Sequence, residues 1–556
     1  MTPPSPAHLF IGTPRFHQAD LARIAASDGT DAAWRGACRQ GIAQAAAQVS
    51  GDFAVGVRDM AGRTSLAVDR FAIRTLCYRV VDGELLFSPR ADALTDAGTE
   101  IDPQAIFDYL FFHAIPSPRT IFKGIYRLPP AHCAVFEKGA LTVAPYWTPA
   151  FSDTHKVSFL ALRDEFRVLL RRAVLDQLDA GTPACFLSGG TDSSTVAGVI
   201  GEVAGRAAST YSIGFDAAGY DEMEYARIAA QCFGTSHHEY YVTPEDLVRS
   251  IETVATHYDQ PFGNSSCLPA YYCAAMARAD GVSKILAGDG GDELFGGNTR
   301  YAKQRIFGWY GALPQSLRTQ VMEPMLSGAT VQRLPLLRKA ASYVQQARVA
   351  MPQRLHMYNL LQRLGIENVF TADFLDSIDA QGPVAQQQQV WQSASTEAPL
   401  HRNLAFDWRY TLAESDLPKV CGTTQLAGIA VGFPLLDQRL LDFSMRLPAS
   451  YKLNGLSLRW FFKEALRGFL PDAIIQKKKQ GFGLPFGVWT CRHPGLQRVA
   501  ADALHGLAER GFIRRDFIHT LLTRHLPEHP GYYGEMVWIL MMLEQWLRKH
   551  APRYGV

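Results

Sequence analysis

Cys-x-x-Cys pairs, apolar runs long enough to cross a bilayer, internal repeats and a surplus of either charge are all missing from this chain of 556 residues. Each absence excludes a class of protein. The nine cysteines are scattered from Cys38 to Cys491, a pattern that fits buried reduced thiols rather than a zinc site or a disulfide framework. A membrane-spanning helix needs about 20 consecutive apolar residues, and no run approaches that. Met1 to His8 show neither the basic start nor the apolar centre of a secretory signal, so a cytoplasmic protein is expected. Lysine and arginine (55) almost cancel aspartate and glutamate (53) and are interspersed with them, which leaves no basic face for nucleic acid. His237 and His238 are adjacent, and on a strand their side chains point to opposite faces, so a shared metal is not expected.

What the chain does have is apolar material, 47% of its residues, enough for two or more cores. The first part predicts antiparallel strands over 53–57, 64–68, 75–81 and 84–87, with Asp82-Gly83 as a hairpin turn and a last short strand near 134–136. A passage from Pro145 to Pro149 reads as a linker, which divides the chain into domains 1–150 and 151–556. From Phe159 the apolar residues recur at helical spacing. Strands over 184–187, 209–215, 238–242 and 284–286 then alternate with helices over 222–233, 244–259 and 268–279, the pattern of an α/β unit with a parallel sheet. Beyond Tyr301 the chain reads as helices, with Gln386 to Gln389 in a loop or exposed turn.

Three segments carry chemistry. Leu187, Ser188, Gly189, Gly190, Thr191, Asp192, Ser193 and Ser194 follow a buried strand and open a helix, so backbone N–H groups and the helix's positive end meet at one place suited to the phosphates of ATP. An ordinary strand-to-helix turn is the alternative. Gly288 to Gly297 follows another strand and packs glycines around Asp289, Asp292 and Glu293. Asp192 and Asp292 are expected to clamp magnesium on a pyrophosphate, against the alternative of a solvated helix cap. In the third segment Lys477, Lys478 and Lys479 close a helix-like run, which on composition alone is a solvated helix end.

In this order the three segments resemble the asparagine synthetase family, together with residues 69–74, 120–125 and 128–130 of the first domain and 259–262, 433–437 and 478–482 of the second. The resemblance implies an N-terminal, β-rich domain like the Ntn-hydrolases, here a degenerate glutaminase. It also implies a C-terminal PP-loop ATP pyrophosphatase domain of the adenine nucleotide alpha hydrolase-like class with extra helices. It implies, too, that a carboxylate is adenylated with loss of pyrophosphate and that an amine then displaces AMP. On this reading Ser188, Gly190, Asp192 and Ser193 bind phosphates and Mg2+, Ile213 and Gly288 line the adenosine, Asp292 shares the metal, and Lys479 stabilises the charge building on phosphate and acyl oxygen.

The chain departs from that family in two places. Residue 2 is threonine where glutamine-dependent members carry the nucleophilic cysteine, so no glutaminase activity is expected. Before Phe433, charged family positions are replaced by Cys421, Gly422, Ala430 and Gly432. If these line the acceptor pocket, they favour something larger than free aspartate. Cysteine-less relatives include β-lactam synthetases and the macrolactam synthetases of lasso peptides. In the former a tyrosine–glutamate pair serves as base; Asp289 stands at the tyrosine position and Glu414 near the glutamate position, with Asp416 as a second candidate base. The resulting expectation is lasso-type macrolactam formation, with a precursor peptide and a protease as partners. An ammonia-using or partner-fed asparagine synthetase and a nucleotide-binding pseudoenzyme are the alternatives.

Overall fold

A computed structural model of the protein describes residues 8–152, 157–327, 335–478, 481 and 483–555. Five antiparallel strands build the first sheet in the order His8–Gly12, Phe53–Arg58, Thr64–Val68, His132–Glu137, Ala140–Pro145. A smaller sheet pairs Cys77–Val81 with Glu84–Ser88 and with Tyr126–Arg127. Asp82 and Gly83 join the hairpin with φ of 49° and 79°, the positive values that make Asp-Gly a preferred two-residue turn. Two edge strands, His8–Gly12 and Ala140–Pro145, were not expected. The second is exposed along its whole length and lacks the apolar alternation that betrays a strand. The expected linker therefore begins on a strand residue, and Tyr146 is also tied back, its hydroxyl donating to Val68 O at 2.8 Å.

The segment from Asp69 to Arg74 is a clasp. Asp69, almost fully buried, accepts from the backbone N–H groups of Phe53, Phe71, Ile73 and Arg74 at 3.0–3.2 Å, while Arg70 donates to Val49 O and Ala47 O.

In the second unit five parallel strands run in the order Ser236–Val242, Ser209–Phe215, Ala184–Phe186, Lys284–Leu286, Ala430–Gly432. Three are laid down in one direction before the chain crosses to the other side of Ala184–Phe186. The strand order therefore reverses between Ala184–Phe186 and Lys284–Leu286, and ligands of open α/β sheets bind at such a switch, beyond the carboxyl ends of the strands. The fifth strand, Ala430–Gly432, is a further correction: three residues are too few to show a period. The glutamine-rich stretch is corrected as well, since it lies inside the helix Gly382–Ser393, where Gln387 is buried.

One core spans both units. Phe107, Tyr109, Leu110 and Phe111, on the helix Pro103–Phe112, share a buried cluster with Trp538, Ile539 and Trp546 of the helix Pro530–His550. The Tyr109 hydroxyl donates to Ile539 O at 2.8 Å, which lets a phenol be buried without a lost hydrogen bond.

Candidate active site

A cavity of about 1090 Å³ opens at the switch point, lined among others by Leu187, Ser188, Gly190, Asp192, Ser193, Ile213, Gly288, Asp289 and Asp292. The first loop is shaped by its glycines and serines. Gly189 has φ +67°, and a Cβ there would lie 2.5 Å from Ala226 N. Ser188 N donates to Ser193 Oγ at 3.2 Å, and the two hydroxyls are 3.1 Å apart. No side chain caps the helix Thr191–Ala204 at Gly190, so Thr191, Asp192 and Ser193, which line the cavity, open the helix without a capping side chain, an arrangement suited to an anion. Gly189 and Ser194 are not on the cavity wall. Gly189 accepts from Lys477 Nζ at 3.3 Å through its carbonyl, and Ser194 is a fully buried first-turn residue whose N–H donates to Gly190 O at 3.1 Å.

The second loop presses against the first. A Cβ on Gly288 would come within 2.8 Å of Ser193 N, and one on Gly291 within 2.3 Å of Asp192 Oδ1. Only glycine permits this approach. Asp192 and Asp292 do face a common point, and the cation there is Arg459, whose guanidinium donates to Asp192 at 2.6 Å and pairs with Asp292. Arg459 is 4% exposed and sits at φ 54°.

For magnesium the donor set fits. Among the described residues no three His, Cys, Asp or Glu side chains converge on a metal, but Mg2+ is ordinarily held by one or two carboxylates together with waters and substrate phosphates. Asp192 and Asp292 would be those carboxylates, and the ion would supply charge neutralisation at the phosphates.

Lys479 lies outside the described residues. Its neighbours Lys477 and Lys478 line the cavity. Lys477 Nζ is 3.1 Å from Glu222 Oε1 and 4.4 Å from the centre of the Tyr225 ring, so Lys477 is a paired residue of the cavity wall and not part of a solvated helix end.

Asp289 is on the wall and half-buried, and loss of solvent pushes its carboxyl up to about 6 against the pull of Lys419, 3.8 Å away. Lys419 also donates to Asp416 at 3.2 Å, and Asp416 lines the cavity. Glu293 lines it too, held protonated to higher pH by burial and by the charges of Asp416 and Asp407.

Glu414 is a correction. It is not on the cavity wall: it is buried in the seam between the units, pairs with Arg127 at 2.5 Å and with Arg409, and accepts from Ser117 Oγ at 2.7 Å and Ser117 N at 3.1 Å. The two arginines draw its carboxyl below the usual range against the opposing effect of burial, the reverse of what a base for an ammonium requires.

The small residues before Phe433 are also corrected. Cys421, Gly422, Ala430 and Gly432 are absent from the cavity wall. A Cβ on Gly422 would strike the Tyr258 ring at 2.4 Å, and one on Gly432 would come within 2.5 Å of Gln177 and 2.9 Å of Leu286. At these two glycines the smallness serves packing. Arg459, Lys463, Lys419 and Glu535 were missed by sequence reasoning, because each stands alone on a helix or turn with no glycine-rich signal beside it.

An asparagine synthase family model matches residues 165–548, and a glutamine amidotransferase domain model matches residues 21–147. Asparagine synthetase [glutamine-hydrolyzing] 1 of Bacillus subtilis (strain 168) is 23% identical over 501 residues, covering 86% of this chain and 74% of the relative. Asparagine synthetase [glutamine-hydrolyzing] 3 of the same organism is 24% identical over 497 residues, with 86% and 72% covered. Amidase chyE of Penicillium rubens is 23% identical over 483 residues, with 79% and 70% covered. Mycobacterial relatives are covered over 65% of their length. Two units with an amidotransferase-like sheet followed by a parallel sheet, joined at a cavity ringed by glycine–aspartate loops, accord with these matches: the chain belongs to the asparagine synthase family and is an ATP-dependent amide-forming ligase.

Proposed function

We propose that the protein adenylates a carboxylate with ATP, releasing pyrophosphate, and joins the activated acid to an amine that does not come from glutamine hydrolysed in its own first unit. The observation that carries this reading is the cavity in which both glycine–aspartate loops, Ile213 and the lysine segment meet. The first unit would be an Ntn-hydrolase-like fold without its reaction, and the second a PP-loop pyrophosphatase fold. Ser188, Gly190 and Ser193 would hold phosphates, Ile213 and Gly288 the adenosine, and Asp192 and Asp292 Mg2+. Lys479, with Lys477 and Lys478 beside it, would balance charge growing on the phosphate and acyl oxygen. None of the described cysteines of the first unit is an activated nucleophile. Burial pushes the thiol of Cys38 up to about 11 and raises those of Cys77 and Cys133, whereas attack needs a thiolate.

The first reading of the acid is one presented on a peptide, in a cavity of about 1090 Å³, at the top of the usual span for small-molecule sites, about 300–1,000 Å³. On this reading the enzyme closes a lasso-type macrolactam in the cytoplasm, served by a precursor peptide and a partner protease. A second reading is asparagine formation from free aspartate with ammonia or partner-supplied nitrogen; the names of the Bacillus relatives, glutamine-hydrolysing asparagine synthetases, favour its product but not its nitrogen source. ATP–pyrophosphate exchange separates them. Exchange dependent on a peptide with a free amino terminus and an aspartate side chain supports macrocyclisation, and exchange saturated by free aspartate supports the second reading. Turnover that liberates ADP and orthophosphate overturns both.

A further inference from the structure

Glu535 has no part in the nucleotide site, yet it lines the same cavity. It stands on the helix Pro530–His550 beside a wall made by three distant pieces of chain. The first is the end of the helix Pro103–Phe112, with Phe112 and His113 on the cavity. The second is the loop Asn264 to Ser266, and the third is Glu535 itself. Backbone bonds fix this wall: Gly263 N donates to His113 O at 2.9 Å, and the Tyr109 hydroxyl donates to Ile539 O. Among the described residues the Glu535 carboxylate accepts one hydrogen bond, from Ser265 Oγ at 3.2 Å, and no lysine or arginine pairs with it.

Among the described carboxylates of the cavity only Glu293, crowded by the charges of Asp416 and Asp407, shares this lack. Asp192 and Asp292 share Arg459, Asp416 and Asp289 share Lys419, and Glu222 has Lys477. Tyr109 and Cys267 feel the charge of Glu535, and His113 lines the same cavity. The first two have their ionisation pushed upward by burial, and His113 is pushed down to about 4, so all three are uncharged at neutral pH. A carboxylate walled in without a protein cation is costly unless a ligand supplies the positive charge.

We propose that Glu535 is the docking group for the attacking amine: it pairs with the substrate's primary ammonium and takes one of its protons. This rests on the adenylate reading above. The amine arrives as R–NH3+ and one proton passes to the Glu535 carboxylate. The freed lone pair of nitrogen forms a bond to the acyl carbon, the bond from that carbon to the adenylate oxygen breaks with its electrons on AMP, and the second surplus proton of nitrogen leaves to the AMP phosphate. Burial pushes the Glu535 carboxyl up to about 7, which suits a group that must both accept and release a proton near neutrality.

Glycinamide, a primary amine with no carboxylate of its own, is the probe. Calorimetric titration into the full-length protein with Mg2+ and a non-hydrolysable ATP analogue is expected to show saturable 1:1 binding. That binding should weaken at least tenfold in Glu535→Gln and be partly restored in Glu535→Asp, with the melting temperature of both variants unchanged. Absence of saturable binding to the wild type, or equal binding by Glu535→Gln, overturns the proposal. With an acid that supports pyrophosphate exchange, Glu535→Gln is expected to retain exchange while amide formation falls about 10²-fold or more. Hydroxylamine, already neutral at pH 7, should still trap the acyl group in the variant. Loss of exchange in the wild type would sink the adenylate reading and leave the glycinamide result standing by itself.

Discussion

At Glu414 two guanidiniums, a hydroxyl and a backbone N–H converge on one buried carboxylate, so that removing its charge leaves Arg127 and Arg409 facing one another without a counterion. Breaking one side of a buried pair costs about 3–5 kcal/mol. Glu414→Gln is therefore expected to lower stability by about that amount in denaturant titrations at pH 7, while ATP binding in the folded protein persists. The pH dependence has a definite sign. The unfolded carboxyl titrates near 4.5 and the folded one lower, so the stabilisation is complete above about 4.5 and is lost as the pH falls through the folded value. The gap between wild type and variant should close over that window; a gap that stays constant down to pH 3 would show that the charge of Glu414 is not what holds the seam.

Two loops meeting at a sheet switch point are an element-scale device, and their contact is as tight as glycine allows. Gly291→Ala would drive a methyl group against the Asp192 carboxylate, so ATP affinity is expected to fall by at least about tenfold, or about 1.4 kcal/mol, measured by equilibrium binding, with a smaller effect on melting. Arg459 holds the same loops by charge. In Arg459→Met the Asp192 and Asp292 carboxylates repel, the melting temperature falls, and millimolar Mg2+ should raise it by more than in the wild type, because an ion that binds only the folded state stabilises it by linkage. An equal Mg2+ response in both proteins would remove the two aspartates as metal ligands. Both loops were legible in the sequence, because glycines and carboxylates directly after an apolar run have few other uses. Arg459 was not: it reaches Asp192 across 267 positions, from a short turn whose local sequence says nothing of a partner. Glu535 was hidden for a similar reason, inside a helix whose other residues read as core. Gly422 and Gly432 misled, since an absent side chain looks the same whether it opens a pocket or admits a neighbour's ring.

Across the whole molecule the two units share more than a linker. Residues 259–260, read in the sequence as part of the second unit's machinery, serve the seam. Asp259 accepts from Ala91 N at 2.8 Å, and Gln260 accepts from Ile121 N and donates to Ile115 O. Phe122 packs on Trp546, whose indole N–H donates to Tyr258 O at 3.0 Å. Because Phe107, Tyr109 and Phe111 sit in the same core as Trp538 and Trp546, separating the units would expose aromatic side chains worth about 1.5–3 kcal/mol each when buried, together with the cavity wall carrying Phe112 and His113. A protease site inserted between residues 152 and 157 tests this cohesion. After cleavage the two fragments are expected to elute together in gel filtration and to retain ATP binding, whereas expression of residues 157–556 alone should give an aggregating chain. If the cleaved fragments separate and the larger one still binds ATP and glycinamide, the first unit contributes neither core nor cavity wall, and the seam at Glu414 loses its role as well.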